Sequence, residues 1–302
     1  MKSKISDIVS SIVDGIQRSL KTLRSSTRLT IGSILLAIIL ILGIFEPLVN
    51  SYRLGGRSPV ELGLYERALP PSFEHPLGTD MLGRDILALV LVGLRYSLLV
   101  GAIAGGIATL IGTVIGLLAG YIGGKIDAVL NSITNGVLIL PTLPLLMAIV
   151  AYVRMNMVLI SITLAIFTWP WSARTIRAQV LSLKERPYIE LAKVTNLNDI
   201  EIVFKEIFVG LIPYIMVGLS FSVIGCIIAE TSLRMIGLGP AEIPTLGFIL
   251  GWAMTYGALA QGYYTLVLAP AILLILLFIS LNLINVGLDE VFNPRLKKIT
   301  GL

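Results

Sequence analysis

Six apolar stretches, at about residues 29–49, 97–121, 130–152, 157–173, 207–228 and 264–288, constrain this chain more than any other feature. Crossing a hydrocarbon core as helix takes about 20 mostly apolar residues. The runs are unbroken, as at 33–44 and 272–279, whereas barrel strands alternate with a period of two. Only 14% of the 302 residues are charged and 56% are hydrophobic, against about 25% charged in a typical soluble domain. That balance excludes a soluble fold and a disordered chain, and one cysteine, Cys226, excludes a disulfide scaffold. The fold class is all-α, a polytopic membrane protein with six transmembrane helices.

A seventh candidate, 246–259, is too short to span at about 1.5 Å per residue, so it is expected to be interfacial or re-entrant. An even number of spans puts both termini on one side. With the N-terminus inside, all nine lysines fall in inner segments, and the basic residues outside are arginines alone: Arg53, Arg57, Arg67, Arg84, Arg95, Arg154 and Arg234. This satisfies the positive-inside rule, so the net charge of +5 reads as orientation rather than as a nucleic-acid surface. The chain divides into an N-terminal cytoplasmic segment 1–28, a first transmembrane helix 29–49 and an external loop 50–96. A five-helix core follows over 97–288, with a cytoplasmic loop at 174–206, and then a cytoplasmic tail, 289–302. Segment 1–28 places Ile5, Ile8, Val9, Ile12, Ile16 and Leu20 on one helical face beside Lys4, Arg18, Lys21 and Arg24, the pattern of a helix lying along a membrane surface. Its charged part is too long for a cleavable signal.

Gly101 and Gly105, then Gly112, Gly116 and Gly120, recur every four residues. Small residues at that spacing let another helix approach closely, so they are expected to pack. Pro141 and Pro144 interrupt the third span and Pro170 the fourth. No span carries Asp, Glu, Lys or His at its middle, which argues against an ion-coupled secondary transporter and its buried relay. His75 with Asp80 and Asp85 is too sparse for a metal site and reads as structural. A phosphate loop is missing as well, because Ala119 stands where the first glycine should and Ile126 follows Lys125. No catalytic residue, metal or cofactor is expected in this chain. The cluster of Asp80, Arg84 and Asp85 predicts an outer loop folded by its own charge pairs, with Gly78 and Gly83 at turns.

In the long inner loop, Pro187 suits a first helical turn, and Tyr188, Leu191, Ala192 and Thr195 share a face. Asn196 can end that helix in a left-handed turn, and Asn198 with Glu201 forms an N-x-x-E start signal. Such a helix either docks into a groove on another protein or lies on lipid headgroups.

Tyr188, Glu190, Leu191 and Ala192, the turn at Asn196, and the run from Ile207 to Pro213 resemble the EAA loop of ATP-binding-cassette importer permeases. His75, Gly78, Asp80, Gly83, Arg84 and Asp85 are similar to the outer-loop signature of the dipeptide/oligopeptide branch, C-type subunit. Trp169, Pro170, Ala173, Arg174, Glu230, Gly237, Gly239, Asn282 and Pro294 continue the match. The chain departs from the family at Leu191, usually alanine, at Asn196, usually glycine, and at Glu206 and Val209.

The resemblance implies a type I importer permease fold in a prokaryotic cell membrane, with coupling to the ATPase through Tyr188, Glu190, Leu191, Ala192 and Asn196. Its implied partners are a second homologous permease, two cytoplasmic ATPases carrying ATP and Mg, an external substrate-binding protein and the bilayer. Peptides are the first substrate class it suggests, oligosaccharides the second and nickel complexes the third.

Overall fold

The computed structural model describes residues 26–195, 197–240 and 243–292. The amphipathic segment up to residue 25, the turn at Asn196 and the tail from residue 293 lie outside the described residues. Helix α1 (Thr27–Leu54) opens on Ser26, whose hydroxyl accepts from the Leu29 amide. It is followed by α2 (Ile86–Ile122), α3 (Gly124–Ile139) and α4 (Thr142–Tyr152). Then come α5 (Met157–Leu183), the short α6 (Pro187–Val194), α7 (Asp199–Met235), α8 (Leu246–Thr255) and α9 (Tyr264–Phe292). Among the described residues, five helices are long and apolar enough to cross a membrane. The pair α3 and α4, bent by 77° at Leu140 and Pro141, brings the number to six if it crosses as one broken span. Ser26 donates to Glu290 at 2.6 Å, and Arg28 pairs with the same carboxylate at 2.6 Å. The start of α1 and the end of α9 therefore share one membrane side, as an even span count requires.

Two boundaries differ from the hydropathy reading. The second span begins at Ile86 rather than at residue 97, because Arg95 is no interfacial end marker; it pairs at 3.3 Å with Glu46 of α1. Pro170 does not interrupt α5. It lies buried within a continuous helix, held against α2 by the most extensive helix–helix contact in the fold.

At about 1.5 Å per residue, the 37 residues of α2 reach some 55 Å, longer than a bilayer core. Its small residues seat a different neighbour at each level. A Cβ on Gly93 would meet Ile249 of α8, and one on Gly101 or Gly105 would meet Ile227 or Val223 of α7. One on Gly112, Gly116 or Gly120 would meet the backbone or Cβ atoms of α5 within 2.5–2.8 Å. Gly112, Gly116 and Gly120 therefore face α5 of the same chain.

The short helix α8 packs into the core of the bundle. Leu246, Ile249 and Ala253 are buried with Ile86, Leu89 and Leu277, and the Ser97 hydroxyl accepts from the Leu246 amide at 3.0 Å.

Candidate functional site

Two clusters sit at opposite ends of the bundle, with a cleft between them. At one end, the 55–85 loop closes on charge. Asp80 accepts from the Arg84 side chain at 2.6 Å and from the Leu82 and Arg84 amides at 2.9 and 2.8 Å. Asp85 caps α2 through the Ala88 amide at 2.8 Å, and its other oxygen meets His75 Nδ1 at 2.8 Å and Arg53 at 3.1 Å. His75 is held edge-on to Tyr65, 4.3 Å between ring centroids, a structural placement. Gly78 and Gly83 have φ of 79° and 75°, and a Cβ there would strike the carbonyls of Leu69 and Tyr65. Arg84 also lies over the Trp252 ring at 4.8 Å, tying this loop to α8.

Because Asp80 and Arg84 are both buried, removing one partner strands the other, at a cost of about 3–5 kcal/mol. Asp80→Ala should therefore lower the melting temperature of the purified chain sharply. Lys205→Gln, which breaks the exposed pair with Glu201, should leave it unchanged. Equal melting curves for both variants would remove the loop from the stability argument.

A neighbouring network escaped the sequence reading. Glu230 and Arg234, one turn apart on α7, are both buried and pair at 2.9 Å. Thr245 donates to Glu230 at 2.7 Å, while Arg234 donates to the carbonyls of Pro240 and Ile243. Thr245 also caps α8 through the Phe248 amide. This network fixes α8 to α7, and the E-x-x-x-R spacing was its only trace in the sequence.

At the opposite end, α6 begins at Pro187 as expected, and Asn198 and Glu201 form a reciprocal capping box at the start of α7. The predicted shared face of α6 is divided, however. Tyr188, Glu190, Leu191 and Val194 are exposed, whereas Ala192 is 6% and Ile189 0% exposed. Ala192 and Ile189 pack into Ile176 and Val180 of α5 and into Ile202, Ile207 and Leu211 of α7. Ala192 is therefore not part of an outward docking surface; the helix already has a partner for that face inside the chain.

The first turns of α7 are π-helical over Ile202–Ile207. Residues five apart on an α-helix differ by roughly 140°, so they would face apart. The wider π turn lets Ile202 and Ile207 both enter the core. Four further bonds tie this end together. Arg177 grips Asp127 with two bonds, at 2.5 and 2.7 Å, Lys184 donates to the Gly120 carbonyl at 3.2 Å, and Tyr121 donates to Asp199 at 2.6 Å.

Between the ends, α5 and α7 line a cleft of about 530 Å³. Its walls carry Thr168, Ser172, Thr175 and Ser222, with Trp171 and Phe221 exposed at its edges and Gly218 and Gly225 between them. Ser172 and Ser222 bond to each other at 3.0 Å. None of its walls is charged.

The family described as "Binding-protein-dependent transport system inner membrane component" matches residues 112–298, which span the glycine-packed half of α2, the divided loop and the cleft. This chain belongs to that family. A "probable peptide ABC transporter permease protein", y4tQ, of Sinorhizobium fredii is 32% identical over 80% of this chain and 81% of its own length. The glutathione transport system permease protein GsiD of Pectobacterium atrosepticum is 35% identical over 75% of each. A solved inward-facing structure of the MetNI methionine ABC transporter aligns with a TM-score of 0.55 and 20% identity, covering 69% of this chain and 97% of that one. That likeness establishes the fold, the type I permease bundle that the EAA-like loop implied.

As a member of the binding-protein-dependent permeases, the chain is a multi-pass membrane component of an ABC transport system. Family membership brings an ATPase and a substrate-binding protein as its general partners.

Proposed function

We propose that this chain forms half of the translocation pathway of an ATP-driven importer for di- and oligopeptides. A second homologous permease completes the pathway, two cytoplasmic ATPases bind the coupling loops, and an external binding protein delivers substrate. The observation that carries the reading is the cleft between α5 and α7, at the level of the spans. Its Thr168 and Thr175 hydroxyls can accept from a peptide backbone, and its lack of charge makes passage indifferent to side-chain type. Selection then belongs to the external binding protein. The relatives named for peptide and glutathione transport support the same substrate class.

This chain itself carries out no hydrolysis; ATP and Mg act on the partner ATPases. ATP binds the closed ATPase pair more tightly than the open pair, and that difference drives the permease outward-facing. The coupling helix α6 receives the movement and passes it to α7 through the shared core of Ile189, Ala192, Ile202 and Ile207.

The test is uptake by the reconstituted complex with its binding protein in lipid vesicles. ATP-dependent accumulation of labelled peptides is expected. Accumulation of oligosaccharides without peptides would overturn the substrate class.

Orientation is tested separately, in a Cys226→Ser background. With both termini cytoplasmic, the 55–85 loop faces outside. A cysteine at Phe73, a fully exposed loop position, should react with an impermeant reagent added to intact cells. One at Thr79, 1% exposed, should stay unlabelled from either side. Labelling of Phe73→Cys only after the cells are opened would reverse the topology.

A further inference from the structure

Where α1 ends and α2 begins, on the side of the 55–85 loop, lies a second cavity of about 400 Å³, distinct from the cleft. Glu46, Asn50, Arg57, Arg95 and Tyr96 contribute to its walls. Its polar groups are sorted by charge. Glu46 is 3% exposed, and its carboxylate accepts from Asn50 at 2.7 Å and from Arg95 at only 3.3 Å. The Asn50 amide donates both to Glu46 and to the Ala88 carbonyl, at 3.0 Å, which fixes its orientation. Its Oδ1 is left buried without a donor. Arg95 is half-exposed, and Arg57 is exposed with no side-chain partner among the described residues.

A buried carboxylate with one long ion pair, beside a buried acceptor lacking a donor, is a costly arrangement unless something supplies hydrogen-bond donors and positive charge. Two incompletely paired guanidiniums at the same cavity offer sites for an anion. The complementary ligand carries an ammonium and a phosphate a few bonds apart.

We propose that this cavity binds the phosphoethanolamine headgroup of a membrane phospholipid. The ammonium donates to Glu46, and the phosphate is held by Arg57 and Arg95. The source of the headgroup follows from where the cavity opens. Pro47 and Ser51 line it on α1, and Ile44 and Leu40 continue the same helical stripe deeper into the bilayer, apolar and exposed. On α2, Leu99 lies one turn deeper than Tyr96 and is likewise exposed. Acyl chains have a surface to lie on directly beneath the headgroup, which a free zwitterion would leave unused. The inference does not depend on what the protein transports.

The test is native mass spectrometry of the full-length chain extracted from nanodiscs of equal phosphatidylethanolamine and phosphatidylcholine content. Retained lipid should favour phosphatidylethanolamine about tenfold, equivalent to about 1.4 kcal/mol, because a trimethylammonium cannot donate hydrogen bonds. Glu46→Gln should erase that preference. Arg57→Gln, at a side chain with no partner among the described residues, should lower retention of both lipids and keeps the test available if Glu46→Gln lowers the yield. Millimolar dialanine or free phosphoethanolamine should leave the lipid in place. Equal retention by the wild-type chain, an intact preference in Glu46→Gln, or displacement by either soluble zwitterion would overturn the assignment.

Discussion

Gly116→Leu should abolish accumulation of folded protein. A Cβ at that position would lie 2.6 Å from the Ala173 carbonyl and 2.9 Å from the Arg177 amide, both rigid backbone of α5. Neither atom can rotate away as a side-chain end could, so α2 and α5 would have to separate along their whole contact. Overpacking a core costs about 1–3 kcal/mol when neighbours can shift. Here the displaced element is a helix that also carries Gly112 and Gly120 in the same close contact, so the loss should exceed that range. Gly106→Leu is the matched control, because a Cβ at Gly106 meets nothing within 4 Å. It should fold at the wild-type level. Monodisperse yield on fluorescence-detected size exclusion measures both variants, and similar yields would show that the glycine face does not carry the contact.

Leu191→Glu and Ala192→Glu should both silence coupling, by separable routes. Leu191 is 64% exposed on α6, between Tyr188 and Val194, and under the proposed docking it is the apolar centre of the contact with an ATPase. Burying one large apolar side chain contributes about 1.5–3 kcal/mol, so its loss should weaken ATPase retention by about tenfold or more. The permease itself should fold normally. Ala192→Glu instead drives a carboxylate into the apolar cluster of Ile176, Val180, Ile202 and Ile207. That variant should lose thermal stability before any partner is added. Glu190→Gln, on the exposed rim, should change retention little, since exposed ion pairs contribute about 0–1 kcal/mol. The measurement pairs ATPase retention and substrate-stimulated hydrolysis with a melting curve of the isolated chain. Full retention and stimulation in Leu191→Glu would place α6 on lipid and end its assignment as the coupling helix.

These variants also mark how far the sequence could be read. The glycine contacts were legible because a four-residue spacing of small residues has one geometric meaning on a helix. The cap at Asn198 was legible for the same reason: a cap is a bond between residues three apart. The orientation of Ala192 was not. A helix of eight residues with apolar side chains on two sides has no preferred face until α5 and α7 close over one of them. The Glu230–Arg234 pair was likewise hidden, since its partners Thr245, Pro240 and Ile243 come from the segment that folds back beside α7.

By itself the sequence determined the class, the long apolar helices, the shared side of the start of α1 and the end of α9, the turn glycines Gly78 and Gly83, and the start of α6 at Pro187. Those depend on run length, local bonding and backbone conformation, all written within a few residues. Tertiary structure alone decided that α2 begins at Ile86, that α8 is inserted into the core, that Ile202–Ile207 widens into a π turn, and that Ala192 faces inward. The reason is that lipid and protein interior are equally apolar. Hydropathy reports that a side chain leaves water, and only the neighbouring helices fix which of the two environments it enters.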